Sequence, residues 1–478
     1  MALRLLLLTL ALLVPRAIAE GLPELGDAAQ SAFGSVEERR LGEEIMREVR
    51  ADRSYLDDAE ATDYVNALGN RLATRGAEGR QDMEFFLIDD RQINAFALPG
   101  GYIGINTGLL LAAQSESEVA SVVAHEIAHV TQRHIARIIG QQKNSALMSL
   151  AGMALALLAS RAGNDAAIAA ASFGQAGAVQ NLLNFTRDHE READRVGLQT
   201  LQSAGFDVRA MPSFFERLQR ATRVYEGGAP SYLRTHPVTH ERIADIQNRV
   251  ERLPYKQVPD SMDFQLVRAK LRATADTPSQ ARAYFEESLA ERRFSSEAAS
   301  RYGLVATLIR LKDYARARKE HEALRASTGP HPMIDTLGCR IRSAAGEVEN
   351  AAGCYSSTLR AHPNHRGATY EYAELLLQAG RADPALGIIG KRMQSYGDDP
   401  KLYLLQARAY AMQGKRHAQH RANGEAYARM GNLRGAVEQL QIAAKSGDAD
   451  FYQLSATEAR LRELRKADEA QRREQQRR

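Results

Sequence analysis

The chain has 478 residues, 44% of them hydrophobic, and a formal net charge of +4 at pH 7. This length allows about two to four domains with cores of their own. A charge so close to balance argues against the broad basic surface that nucleic-acid binding requires.

The N-terminus has the three parts of a secretory signal peptide. Arg4 gives a positive n-region, Leu5–Val14 an apolar run, and Ala17–Ala19 a small-x-small cleavage site. A membrane anchor is the alternative, but this run falls short of the roughly 20 apolar residues that span a bilayer. We therefore predict a signal peptide over residues 1–19, with a mature chain that begins at Glu20 and is exported.

Pro254 and Pro259 interrupt the chain between two regions of different character. We predict a first domain over 20–258, a linker over 259–264 and a helical repeat domain over 265–478. The predicted fold class is mainly α: an α+β domain with a small sheet, followed by an α-solenoid.

Within the first domain, three short runs have the composition of strands. They are Met83–Ile88, Ala95–Leu98 and Tyr102–Asn106. A helix that opens with the capping box of Ser115 and Glu118 is predicted to continue to about Ile139. A later helix is predicted from about Asn184 to Ala204.

Two stretches rich in small residues lie between these helices. Ala146–Ala159 is apolar but short for a bilayer, which favours a buried or interfacial segment over a transmembrane one. The stretch Ala162–Gln180 is rich in Ala and Gly. We expect it to cover the site described below.

The second domain shows a period of 34 residues. Predicted helix-turn-helix corners recur at Lys312, Gly346, Gly380 and Gly414. A small residue lies five positions after each of the first three corners, at Ala317, Ala351 and Ala385. Another lies seven positions before each of the last three corners, at Cys339, Ala373 and Ala407. An unrelated helical bundle is the alternative, but these matched spacings indicate tetratricopeptide repeats. The register becomes irregular at Gln419 and at a further corner, Gly431.

Cys339 and Cys354 fall on the two helices of one repeat. An exported protein meets an oxidising environment, which favours a bridge. Two buried thiols are the alternative, and the sequence leaves both open.

The segment His125-Glu126-Ile127-Ala128-His129 carries the first chemical signal. Residues four apart on a helix differ by about 40° and rise about 6 Å, so both imidazoles can hold one metal ion. Glu126 lies one step along the helix, where a carboxylate can take a proton from an attacking water. A short match of this kind also occurs in ordinary helices whose histidines have other partners.

The context selects the subclass of metallopeptidase. A metzincin would need Gly and His where this chain has Gln132 and Ile135, and His134 is predicted to point away, as a structural or surface histidine. A gluzincin needs a Glu from a later helix, and Glu190 provides it. Asp194, four residues on, is predicted to orient a ligand imidazole. The alternative interpretation is that the acidic residues of this helix simply face solvent. We predict that environment for Glu192.

These motifs resemble those of a known family. The HEIAH segment, the later E-x-x-x-D and the preceding run from Asn94 to Ile103 are similar to the HtpX/CAAX-protease superfamily of zinc peptidases. With the signal peptide and the repeats, the chain resembles the bacterial β-barrel assembly-enhancing proteases, the BepA (YfgC) subfamily. The resemblance implies that residues 20–258 form a zincin-like metallopeptidase domain. It also implies one Zn²⁺ held by His125, His129 and Glu190, with Glu126 as the general base.

The resemblance also extends to Thr235-His236-Pro237 and to Arg242. It implies that His236 approaches the zinc, either as a fourth ligand in a closed state or as a transition-state donor. His236 and Arg242 are expected to stabilise the oxyanion. Both roles of His236 stay open.

The function implied is that of a periplasmic endopeptidase that degrades misfolded or stalled outer-membrane proteins and assists their assembly. The repeats are expected to contact the outer-membrane assembly machinery, with peripheral membrane contact and outer-membrane association as further possibilities. The alternative is a periplasmic assembly chaperone whose protease site is largely suppressed.

Overall fold

The computed structural model describes residues 34–76, 82–141, 187–222 and 231–477. The predicted signal peptide and the stretches Ala146–Ala159 and Ala162–Gln180 lie outside the described residues. No helix among the described residues is long and apolar enough to cross a membrane.

The N-terminal part packs helices on a small mixed sheet. Helices α1 (Ser35–Ala51) and α2 (Ala59–Ala73) precede strands β1 (Glu84–Ile88), β2 (Ala95–Leu98) and β3 (Tyr102–Asn106). The strand order is β1-β3-β2, with β3 parallel to β1 and antiparallel to β2. The three predicted strands are confirmed. Because the strands are almost wholly buried, the sheet forms the core beneath the helices that follow.

The HExxH helix is shorter than its sequence predicts. After α3 (Thr107–Ala112), helix α4 spans Glu116–Thr131, and a separate helix, α5, spans His134–Gln141. The break falls at Arg133, whose φ of 52° lies in the left-handed region. The Arg133 guanidinium pairs with Glu38 at 3.2 Å, which holds this side chain against α1. The prediction of one helix to about Ile139 is wrong because hydrophobic periodicity continues through the turn.

A second long helix packs directly on α4. Helix α6 spans Arg187–Ser203 and is followed by α7 (Ala210–Thr222), α8 (Ser231–Thr235) and α9 (His240–Val250). Gly197 lies so close to α4 that an added Cβ would stand 3.1 Å from the backbone of His125. This distance is tighter than most Cβ contacts, so any larger residue there would push the two helices apart by a few tenths of an ångström.

The C-terminal part is a succession of helices. Their bounds are α10 Met262–Ala275, α11 Pro278–Ala290, α12 Glu297–Arg310, α13 Tyr314–Thr328, α14 Pro332–Ala344, α15 Val348–Ala361, α16 Arg366–Gln378, α17 Ala382–Met393, α18 Pro400–Met412, α19 Arg416–Arg429, α20 Leu433–Ala444 and α21 Phe451–Arg477. The predicted fold class, a small-sheet peptidase domain followed by a helical solenoid, is confirmed.

The predicted corners adopt the backbone that their spacing implies. The φ angles of Lys312, Gly346, Gly380 and Gly414 are all positive, between 61° and 79°, and the half-repeat corner Gly431 follows them at 77°. Ala317, Ala351, Ala385, Cys339, Ala373 and Ala407 are all buried. The small residues thus lie where neighbouring helices meet. Cys339 and Cys354 form a disulfide between α14 and α15.

The corner conformations predict opposite effects of two substitutions on stability. Gly346→Ala should lower the free energy of unfolding by about 1 kcal/mol, because a Cβ disfavours the left-handed region. An added Cβ would meet nothing within 4 Å, so the cost is in the backbone alone. Lys312→Gly should stabilise the protein by a few tenths to about 1 kcal/mol. Urea unfolding of both variants tests this; equal shifts of the same sign would contradict it.

Candidate metal centre

Four side chains from three segments converge at the contact between α4 and α6. His125 and His129 project from α4, Glu190 from α6, and His236 from the residue that follows α8. One potential ligand atom of each lies within 4.8 Å of all the others. All four side chains are buried.

The separations within this cluster suit one metal ion. The Nε2 atoms of His125 and His129 lie 3.0 Å apart, and they lie 3.5 and 3.4 Å from the carboxylate oxygens of Glu190. Ligands at 2.0–2.1 Å from a tetrahedral ion are separated by about 3.3 Å. Two imidazoles and a carboxylate are also a donor set that divalent transition metals prefer. The predicted grouping of these residues is therefore present in the structure.

Glu126 lies in the same buried volume. Among the described residues neither of its carboxylate oxygens has a hydrogen-bond partner, and His236 Nε2 is 3.5 Å from one of them. Burial raises the pKa of Glu126. A carboxylate whose pKa is raised towards neutral pH is a more effective proton acceptor. A buried carboxylate with open acceptor positions among the described residues is suited to accept a hydrogen bond from a water molecule beside the cluster.

Asp194 and Arg242 lie behind the cluster. Asp194 is 3.0 Å from His125 Nδ1, the ring nitrogen that faces away from the other ligands. The Arg242 guanidinium donates to both Asp194 oxygens at 2.7 and 2.8 Å, and it pairs with Glu190 at 2.7 Å. Its Nη1 also donates to the Pro237 carbonyl. Since all three guanidinium nitrogens face acceptors of the chain, Arg242 is placed to position these carboxylates.

His236 lies inside the cluster. Its Nδ1 is 2.9 Å from Glu190 and 3.4 Å from His125 Nε2. Its ring stacks on that of Tyr232, one turn earlier, with centroids 4.9 Å apart. The Tyr232 hydroxyl is buried and has no hydrogen-bond partner among the described residues. The sequence did not single out Tyr232; its position four residues before His236 was the signal available.

His134 and Glu192 lie closer to the cluster than their sequence predicts. His134 is buried and its Nδ1 is 2.9 Å from His129 Nδ1. Glu192 contacts His134 and Arg137 rather than forming a solvated face. His134 is therefore the structural rather than the surface histidine of the two predicted alternatives, and its contact with His129 was not predicted because the assumed helix ends at Thr131.

Comparison with known proteins agrees with this geometry. The model of peptidase family M48 matches residues 59–250, and a tetratricopeptide repeat model matches residues 343–409. The beta-barrel assembly-enhancing protease of Escherichia coli is 31% identical over 454 residues, which cover 94% of this chain and 92% of that protein. The chain belongs to the beta-barrel assembly-enhancing protease family. It is an M48 metallopeptidase with a tetratricopeptide solenoid.

Other relatives match only part of this chain. A putative beta-barrel assembly-enhancing protease of Vibrio cholerae is 42% identical over 52% of this chain and 51% of its own length. The mitochondrial metalloendopeptidase OMA1 of Schizosaccharomyces pombe is 32% identical over 46% of this chain and 62% of its own length.

The ligand geometry predicts the effect of neutralising Glu190. Glu190→Gln should lose bound metal, because an amide oxygen is a much weaker ligand than a carboxylate. The measurement is metal content by elemental analysis after dialysis. Asp188→Asn, which changes an exposed carboxylate on the same helix, is the control and should keep wild-type metal content. Full metal content in Glu190→Gln would exclude it as a ligand.

Proposed function

We propose that this metallopeptidase is a zinc endopeptidase of the periplasm that degrades misfolded or stalled outer-membrane proteins and assists their assembly. The observation that supports it most strongly is the buried cluster of His125, His129 and Glu190 within a chain similar along its length to beta-barrel assembly-enhancing proteases. We propose the division inferred from the sequence: a signal peptide over 1–19, a peptidase domain over 20–258, a linker over 259–264 and repeats over 265–478.

The proposed chemistry assigns a role to each side chain. Zinc held by His125, His129 and Glu190 would polarise the peptide carbonyl and lower the pKa of a water. Glu126 accepts a proton from the attacking water and returns it to the leaving amine. Asp194, fixed by Arg242, keeps His125 oriented through Nδ1. His236 and Tyr232 line the same volume and limit access to it.

We propose that substrate binds in extended form beside the sheet. The segment Asn94–Ile105 contains β2 and most of β3, but β3 lies between β1 and β2 and both of its edges are already paired. Among the described residues this leaves the outer edge of β2, Ala95–Leu98, for substrate. Backbone pairing there is nearly independent of side chains, which suits a peptidase that acts on unfolded proteins.

The solenoid is proposed to select partners. Tetratricopeptide repeats present extended concave surfaces for other proteins. The partners we propose are misassembled outer-membrane proteins and their assembly machinery, with the mature protein in the periplasm and associated with the outer membrane.

The alternative is an assembly chaperone with a suppressed protease site. The position of His236, 2.9 Å from Glu190 and among the ligand atoms, favours some restraint of the site. Enzyme assays on two variants separate these functions.

The first variant removes the proton acceptor alone. Glu126→Gln should keep its zinc and its fold but lose cleavage of casein by about 10²-fold or more. Zinc content and circular dichroism are measured beside cleavage, so that loss of metal is distinguishable from loss of the base. Wild-type cleavage by this variant would contradict the enzyme assignment, and an inactive wild type with bound zinc would support the chaperone alternative.

The second variant tests the role of His236. If this side chain restrains the site, His236→Ala should cleave a reporter protein faster than wild type at saturating zinc. We favour this result, because a peptidase with little sequence preference needs restraint among unfolded clients. If His236 is instead a transition-state donor, the rate should fall by roughly 10²-fold. A fall would therefore contradict self-inhibition.

A further inference from the structure

His134 links a metal-ligand histidine to a carboxylate of helix α6. His134 Nδ1 is 2.9 Å from His129 Nδ1, and His134 Nε2 is 3.0 Å from Glu192 Oε2. His129 directs its other nitrogen, Nε2, at His125 and Glu190. The two imidazoles thus form a continuous chain from the ligand cluster to Glu192.

The directions of the two hydrogen bonds that join His129, His134 and Glu192 follow from the protonation of His129. If His129 ligates through Nε2 as a neutral imidazole, its proton is on Nδ1, which must donate. His134 Nδ1 must then accept, so the proton of His134 is on Nε2. That N–H donates to the Glu192 carboxylate. A single arrangement of protons satisfies all three groups.

The fold places His134 by ending α4 early. A continuous helix would turn His134 about 140° away from His129. The left-handed residue Arg133 instead interrupts the helix, and its guanidinium pairs with Glu38 of α1 at 3.2 Å. The His134 ring is also stacked on His189 of α6, with centroids 4.5 Å apart.

Glu192 is itself held in place. Arg137 pairs with the same carboxylate oxygen at 2.9 Å, and the Glu192 side chain is 29% exposed. Glu192 and Asp194 follow Glu190 on α6 by two and four residues. One helix therefore supplies a ligand and both carboxylates that support the ligand imidazoles, Asp194 directly and Glu192 through His134.

We propose that His134 and Glu192 are positioning residues that fix the ring orientation and tautomer of His129 for zinc. The inference rests on the proposed zinc site and extends it to residues that contact neither metal nor substrate. Partners of this kind typically change metal affinity by 10–100-fold.

The test measures zinc affinity by competition with a chromogenic chelator, using the full mature chain. His134→Leu should weaken zinc binding by roughly 10–100-fold. Glu192→Gln should weaken it less, because the amide oxygen can still accept from His134. His134→Asn should recover part of the loss, since its oxygen can accept near the position of Nδ1.

The control is Glu241→Gln, which removes an exposed carboxylate that pairs with Arg191 of α6 at 3.0 Å. It should leave zinc affinity unchanged. Thermal unfolding in excess EDTA shows whether a variant is destabilised apart from the metal; Glu192→Gln should match wild type there.

Zinc affinities of His134→Leu and Glu192→Gln within twofold of wild type would overturn the positioning role while the proposed function stands. A wild-type protein that binds no zinc would overturn both. Weakened binding in the two variants, with Glu241→Gln unchanged, supports the chain of contacts.

Discussion

The contact between α4 and α6 at Gly197 is the constraint on which the metal centre depends. Neither helix holds a complete site, since α4 carries two imidazoles and the base while α6 carries the carboxylate ligand. An added Cβ at Gly197 would stand 3.1 Å from the His125 backbone, which is tighter than most Cβ contacts, so a larger residue would have to move the helices apart. The same approach brings Asp194 to His125 and Glu192 to His134.

The solenoid is joined to the start of the HExxH helix. The Asp260 carboxylate accepts from the Glu116 backbone N–H at 2.7 Å, while Ser261 donates to the Glu116 carboxylate. The N-termini of α4 and α10 therefore satisfy each other's unpaired backbone groups, which helix ends require.

A second contact between the two parts of the chain is an ion-pair cluster. Buried Glu60 pairs with Lys270 and, at 3.5 Å, with Arg340. Charge from Lys270 and Arg340 lowers the pKa of Glu60 to about 2, although burial alone would raise it.

Much of this arrangement could be predicted from the sequence because local chemistry fixes it. Helical spacing placed His125 and His129 on one face, and the period of 34 residues placed the corners at residues that take positive φ. The environment of His134 could not be predicted, because helical periodicity gives a direction only while the helix continues. At the turn, Arg133 contacts Glu38, which is 95 residues away in the chain. The partners of Arg242 could likewise not be predicted, since its pairing with Asp194 and Glu190 is a tertiary contact.

The central claim is that close approach of α6 to α4 assembles the metal centre, and substitution at Gly197 tests it most directly. In Gly197→Ala, measured zinc affinity should fall by at least about 10-fold, because the ligand and its supporting carboxylates move together away from His125. Gly353→Ala, where an added Cβ meets nothing within 4 Å, is the matched helical control and should keep wild-type affinity. Wild-type zinc affinity and cleavage in Gly197→Ala would contradict the account.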